Sequence, residues 1–484
     1  MDPRARSRAL AAAPAVALAA ALLSTAPAAS AAGPQTVEVV GDTIRVEGSP
    51  GNDRIYVNLE SPQSIEVSLD NYDTYAALPL TPGNGCSQMY VGKVSCQTTG
   101  IVKVEVQALG GDDLVFSGRG WRSEQASYVV PMHYYGGPGR DDLRGGVGDD
   151  FLYGESGNDK QILGDLGADS IFGGEGDDVG LKGEATMTLP SQFRPDRIDG
   201  GPGIDTYEEG RQSLDRAQFV SLDGVANDGS DLDDDVDNGA EEGDNILPTV
   251  ENVVGSLNED YMVGSAAANR LDGGLVGVNV IAGLGGDDEI FTGSSGSSAD
   301  GGEGADEISF YSESIILGGP GNDKLRGGGG WVDAGPGLDD VILGESNDIL
   351  TLTDGQLDRA SCGGGADILY ADSADLVTEG LFADCELRVG DVGTAKLTNT
   401  TIQLTIEQPG GGQLQVTVRQ GKQTLGTATA QTGAAGDQRV TIPLSAKDQK
   451  RLAKLKQLPV IVQTQFTPAG GPPGRADRKV TVRR

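Results

Sequence analysis

Apolar and polar positions change rhythm twice along this 484-residue chain. Near the start they alternate, as in Thr36–Val40, Thr43–Glu47, Ile65–Leu69 and Val102–Val106. Alternation with a period of two predicts half-buried strands, because successive side chains leave opposite faces. Between residues 131 and 389 the alternation gives way to single bulky residues in nine-residue units, among them Leu143, Leu152, Tyr207, Ile290, Ile308, Leu325 and Val341. Each predicts a short strand with one inward side chain. From about Gly390 longer alternation returns, in Thr401–Glu407, Gln413–Arg419, Arg439–Pro443, Val460–Thr467 and Lys479–Arg483. One helix is expected there. Ser445 and Asp448 form a capping box, Leu452, Leu455 and Leu458 give an apolar face, and Pro459 supplies the stop.

The nine-residue unit is clearest at Gly136–Arg144 and Gly145–Tyr153, GGPGRDDLR and GGVGDDFLY. It reads G-G-x-G-x-D-x-U-x, with U bulky and apolar. Glycines permit a tight turn with positive φ. The turn presents backbone carbonyls inward, and the sixth-place Asp adds a carboxylate. Hard oxygen ligands of this kind suit Ca²⁺. The candidate ligand acids are Asp141, Asp150, Asp159, Asp169, Asp178 and Asp205 in a first array, and Asp288, Asp306, Asp323 and Asp339 in a second. Gly137, Gly139, Gly146, Gly148, Gly302, Gly304, Gly319 and Gly321 are candidate turn residues of the same sites. An early copy stands at Gly48–Tyr56, and a shorter one puts Gly111, Asp113 and Val115 in turn, ligand and U places. Further copies begin at Gly255, Gly264 (with Asn269 for Asp) and Cys362. Gln161 and Gly180 stand where U belongs, so weak packing is expected there unless Ile162 and Leu181 substitute by a one-residue slip.

This unit resembles the hemolysin-type (RTX) calcium-binding repeat. The resemblance implies a parallel β-roll, with calcium between the turn of one coil and the turn of the next on the same side. The expected fold is therefore all-β: a parallel β-roll of nonapeptide calcium-binding repeats, an N-terminal β cap and a small C-terminal β-sandwich-like module. Several Ca²⁺ ions are implied as cofactors. In the second array the good units begin at Gly283, Gly301, Gly318 and Ala334, steps of 18, 17 and 16 residues. A coil of two units then places Asp288, Asp306, Asp323 and Asp339 on one edge. The opposite edge, with Ser297 and Val332 in ligand places, is expected to be largely metal-free. The first array, with Asp in every unit from 136 to 181, is expected to hold calcium on both edges.

Composition supports an export route and argues against nucleic acid. Asp plus Glu outnumber Lys plus Arg by 72 to 36, and phosphates want cations. Arg4, Arg6 and Arg8 precede an apolar run from Ala9 to Leu23 and then small residues, the layout of a secretory signal with cleavage near Ala31 or Ala32. The run is too short to span a membrane comfortably, and no other stretch could. The expected organisation is a signal peptide over 1–32, a cap over 33–130, arrays over 131–208 and 255–389, an irregular acidic insertion over 209–254, and a basic module over 390–484. The acidic run 231–239 reads as a solvated loop or, alternatively, an irregular Ca²⁺ site: its Gly239 comes one place late for an EF-hand. Residues 391–484 hold 14 Lys or Arg against 5 Asp or Glu. Their basic face is a solvated surface or a docking site for an anionic cell-envelope polymer. Four cysteines allow three pairings, of which the local ones, Cys86–Cys96 and Cys362–Cys385, are favoured because the roll separates them.

Catalytic constellations are missing. His133 is the single histidine, so HExxH is excluded, and with no CxxC a zinc site is only the weaker alternative reading of the cysteines; the place of His133 in a strand-like run reads as structural. Gly293-Ser294-Ser295-Gly296-Ser297 lacks the final glycine of a nucleophile elbow. No long apolar or amphipathic segment supports pore formation. The N-terminal signal also differs from the C-terminal one usual for RTX toxins, which argues against a toxin role and leaves the fold untouched. The expected function is a secreted, extracellular, non-catalytic calcium-binding protein. The alternative is an envelope-associated adhesin with the roll as a spacer, and a third is an enzyme whose site is not visible in the residues.

Overall fold

The computed structural model of the chain describes residues 35–61, 63–118, 129–183, 194–208, 217–230, 243–365, 367–371, 387–388, 392–398, 400–408, 412–432, 436–452, 455–468 and 474–483. The predicted leader, the acidic run 231–239 and Cys385 lie outside the described residues. Among these, strands dominate and the only helix is Ala446–Leu452.

Through the middle of the chain, successive strands go to opposite walls. Met132–Pro138 pairs in parallel with Phe151–Ser156, and Asp142–Val147 pairs in parallel with Gln161–Leu166. Each strand thus serves as the crossover that parallel pairing requires for its neighbours. The result is a β-roll. One wall is a continuous sheet of 16 strands, running from Cys86–Tyr90 to Arg359–Ser361. The other comes in two pieces: a nine-stranded sheet ending at Asn245–Ile246, and a ten-stranded sheet that opens with Gly229–Ser230 and Gln218–Ser221.

The core between the walls is built from the U residues. Leu143, Ile162, Leu181, Tyr207, Val253, Leu271, Ile290 and Ile308 stack along the long wall and are buried. Leu152, Ile171 and Ile198, then Met262, Ile281, Ile316 and Val332, face them. Full burial of one such side chain contributes about 1.5–3 kcal/mol. The expected weak packing at Gln161 and Gly180 does not occur. Leu143 pairs with Ile162, and Ile162 with Leu181, so the strand slips one residue and the inward place stays filled.

Antiparallel hairpins close the N-terminal end, Thr36–Val40 with Thr43–Glu47 and Asp53–Ser61 with Ser64–Asn71. Covering a roll end keeps unpaired backbone groups from recruiting other chains. A disulfide joins Cys86 to Cys96 across neighbouring strands. Cys362 is buried and disulfide-bonded.

The region 209–254, expected to be irregular, supplies Gln218–Ser221, Asn245–Ile246 and Asn252–Val254 to the walls. Asp228 there closes the seam between the two pieces of the split wall. Its Oδ1 accepts the Ser221 N–H at 2.6 Å and its Oδ2 the Ile246 N–H at 2.9 Å.

The C-terminal module is one seven-stranded sheet curled over its own core of Ile402, Leu414, Val416, Val462, Phe466 and Val482. Its two end strands approach so closely that a Cβ on Gly426 would run into Ile442. Tyr370, near the end of the roll, packs into this second core. The Ser445 half of the capping box forms, with the Asp448 N–H on Ser445 Oγ at 3.1 Å, while the Asp448 carboxylate accepts the Ser445 hydroxyl at 2.7 Å. The described helix is Ala446–Leu452, and Leu455, expected on its apolar face, is 38% exposed.

Two columns of buried carboxylates as the candidate metal centre

Every strand of the roll is entered through a turn, and most turns end in an acid. The turns before long-wall strands form a first edge; those before split-wall strands form a second. On the first edge each acid holds the coil before it. The Asp141 N–H donates to Asp159 Oδ1 at 2.8 Å, the Asp159 N–H to Asp178 Oδ1 at 2.8 Å, and the Asp178 N–H to Asp205 Oδ1 at 2.9 Å. The column begins upstream at Asp53 and Asp113. It continues from Asp205 to Glu251 Oε2 at 2.8 Å, and resumes at Asn269 through Asp288, Asp306, Asp323 and Asp339 to Asp358 at 2.7–2.9 Å.

The second edge runs from the Met132 N–H through Asp150, Asp169 and Asp196 to Asp244, with spacings of 2.6–2.8 Å. Beyond the seam it reads Asp260, Asn279 and Ser297, and later Asp348 and Asp367. The ten predicted ligand acids therefore all fall in the two columns. Asp150 and Asp169 stand on the second edge and the other eight on the first.

In twelve of these acids one oxygen faces the ladder and the other is stranded. In Asp113, Asp141, Asp150, Asp159, Asp169, Asp178, Asp205, Asp288, Asp306, Asp323, Asp339 and Asp348, Oδ2 is buried and makes no hydrogen bond. In the glycine-led turns it faces the first glycine of its own turn, beside a carbonyl one coil on. A Cβ on Gly173 would sit 2.5 Å from Gly200 O, and one on Gly145 would sit 2.7 Å from Gly164 O, both also against the carboxylate of their own turn. A dry slot thus holds a carboxylate oxygen and a carbonyl oxygen with no donor between them, an arrangement that costs free energy unless a proton or a cation enters.

The titration of these acids follows from that geometry. Burial raises Asp141 to about 8; the facing Asp159 charge adds to this, and the hydrogen bond from the Asp113 N–H opposes it. Burial likewise raises Asp178, Asp205, Asp288, Asp323 and Asp339 to about 7 and Asp159 to about 6.

The predicted glycines make room for the slot. Gly302 and Gly304 adopt φ of +99° and +145°, and a Cβ on either would collide with the carbonyl of Leu284 or Gly286 on the preceding coil. Gly319 and Gly321 meet Gly302 and Gly304 in the same way, and Gly137 and Gly139 meet Leu109 and Gly111. Gly146 and Gly148 line the turn of Asp150.

A calcium ion fits this donor set. It takes about six to eight oxygens and tolerates backbone carbonyls beside carboxylates. Among the described residues no three His, Cys, Asp or Glu side chains converge on one point. That is expected where two acids come from neighbouring coils and carbonyls complete the shell. Residues 135–160 and 161–179 match the family model of the RTX calcium-binding nonapeptide repeat, four copies. The chain carries RTX calcium-binding repeats. The matched RTX segment covers both edges around Asp141, Asp150, Asp159, Asp169 and Asp178, and the same ladder continues on either side of it. RTX repeats bind calcium. No curated protein matches the chain as a relative.

Pattern reading passed over several column members. Asp196 follows an insertion: Gly183, which faces its carboxylate across the turn, is cut off from it by residues 184–195. Glu251 replaces Asp, and Asp358 has no G-G-x-G before it. A second ladder was also missed. Fifth-place residues pair along the edge, as in the Arg140 N–H to Asp112 Oδ1 at 3.1 Å and the Ala305 N–H to Asp287 Oδ1 at 2.8 Å. Its only signal in the sequence is the frequent Asp or Asn just before the ligand acid.

His133 sits half-buried in a strand, its ring 4.7 Å from that of Phe151, and burial lowers its pKa. Ser294 Oγ donates to the Gly277 carbonyl. Both contacts are structural.

Proposed function

We propose that this protein is an exported, non-catalytic calcium-binding protein whose roll folds as calcium fills the two columns. The observation that carries the reading is the row of stranded Oδ2 atoms. An aspartate buried with one oxygen unpartnered is unfavourable once, and here it recurs at twelve turns, each time at Oδ2. Calcium on both edges of 132–208 and along the first edge of 270–361 would neutralise them. Affinity on the order of 10⁻⁴–10⁻³ M is expected, as in other extracellular modules. Export is supported by the Arg4–Leu23 pattern, and no helix among the described residues is long and apolar enough to cross a membrane.

A calcium titration of the full chain by calorimetry tests this. Asp306→Ala should remove calcium from the sites it shares with Asp288 and Asp323, lowering the number of ions bound. Unchanged stoichiometry and affinity in the variant would count against the proposal.

A second reading keeps the roll as a calcium-stiffened spacer and assigns binding to the C-terminal module. Strand register favours it. Arg419 pairs with Ile461 and Ile461 with Lys479, while Lys396 pairs with Arg483, so cations gather at one end of the sheet. An anionic cell-envelope polymer is the partner such a cluster suits.

A further inference from the structure

The second edge changes character after the seam. At Asn279 the ladder is unchanged on one side: the Asp260 N–H donates to Asn279 Oδ1 at 2.9 Å, as it would to an aspartate. The other side of the group differs. Where the aspartates place a stranded Oδ2, Asn279 places Nδ2, and it donates to Gly273 O at 2.6 Å and Thr292 O at 2.9 Å. Gly273 opens the same turn, and Thr292 opens the turn one coil on. They correspond to Gly283 and Gly301, which enclose the carboxylate of Asp288. Asn279 is fully buried. The slot is the same, and its positive occupant is an amide.

We infer that Asn279 stands in for the cation, and that the second edge between Asp260 and Asp348 is held closed without metal. This rests on the calcium reading of the aspartate turns. The neighbouring places agree with it. The Asn279 N–H donates to Ser297 Oγ at 3.0 Å, Ser314 Oγ donates to Tyr311 O at 2.8 Å, and the next ladder donor is the Gly330 N–H. Four successive coils thus carry no carboxylate in the ligand place of this edge. Across the roll the same coils carry Asp288, Asp306, Asp323 and Asp339. The flanking turn before it is closed by serine: Ser256 donates its N–H and Oγ to the two carboxylate oxygens of Asp260 at 3.0 and 2.7 Å. On the first edge Ser265 does the same to Asn269 Oδ1, at 2.7 and 3.1 Å. One edge of this segment therefore answers to calcium, while the other keeps the coils in register whatever the calcium level.

The test compares the full-length protein with Asn279→Asp, Asn279→Ala and Asp306→Asn by thermal melting, in chelator and in calcium. Asn279→Asp should melt lower than the parent in chelator and regain most of that loss in calcium, because it converts the slot to the calcium type. Asn279→Ala should show a loss that calcium does not reverse. Asp306→Asn should melt at or above the parent in chelator, since the amide supplies the missing donor, and should bind less calcium. A loss in Asn279→Asp that calcium leaves unchanged, in a parent that calcium stabilises, would overturn this inference alone. So would Asp306→Asn melting below the parent in chelator. A parent indifferent to calcium would instead overturn the reading on which the inference rests.

Discussion

In many turns the second place is a left-handed backbone position, and among the described residues four other than glycine adopt it there. Leu109, Glu155, Asp165 and Leu284 have φ of 84°, 74°, 77° and 75°. An L side chain there costs about 1–2 kcal/mol. Asp165 is compensated, because Arg144 holds both its oxygens at 2.7 and 2.9 Å. Leu284 is not: it is 53% exposed, so its side chain recovers little by burial. Leu284→Gly should therefore stabilise the protein by up to about 1 kcal/mol, the relief of strain less the extra chain entropy of glycine. Chemical denaturation in saturating calcium measures this, and a destabilised variant would show that the leucine contributes packing at that turn. The repeat pattern makes the missing glycines visible in the sequence. That the torsion persists without glycine is visible only in the structure, because neighbouring coils over-determine the turn.

The columns of acids behave as an element of their own, and their response to pH follows from it. In metal-free protein the folded-state pKa of Asp178, Asp205, Asp288, Asp323 and Asp339 is about 7, that of Asp141 about 8 and that of Asp159 about 6. All lie above the value of an unfolded carboxylate, about 3.9. A raised folded pKa favours the folded state when the group is protonated. Its contribution is full below pH 4 and is lost as pH rises through 6 to 8. In chelator, the roll should accordingly lose stability from pH 5 to pH 8, and calcium should restore it at the upper end. Melting curves across that range decide it; a chelated roll that gains stability with pH would contradict the dry slot. Most of this element was legible in the residues, because G-G-x-G-x-D marks a turn wherever it stays contiguous. It failed where the turn is interrupted at 184–195, where Glu251 replaces Asp, and in 209–254. There Asp228 ties two sheets together through contacts that no local pattern announces.

At the scale of the molecule, the chain divides its stability between two kinds of core. The roll has a thin core of one side chain per strand, flanked by edges of like charge. Coils repeat at about 4.8 Å, and two ionised carboxylates at that distance repel by about 3.5 kcal/mol at an effective dielectric of 20. A few such pairs match the whole stability of a typical domain, about 5–15 kcal/mol, so metal binding and folding of the roll are expected to be coupled. The C-terminal module has its own buried cluster around Leu414, Val416 and Phe466 and, among the described residues, no carboxylate column. The change in charge and in hydrophobic rhythm falls near residue 390, between the two buried clusters, whereas the curling of seven strands into one sheet was not legible, since register across distant strands leaves no local mark. The most direct measurement is hydrogen exchange of the full-length protein, read segment by segment by mass spectrometry, with and without calcium. The account predicts that chelation at neutral pH opens the amides of 132–361 to rapid exchange, leaves 412–468 protected, and is reversed by calcium. Equal protection of 132–361 in chelator and in calcium would contradict it.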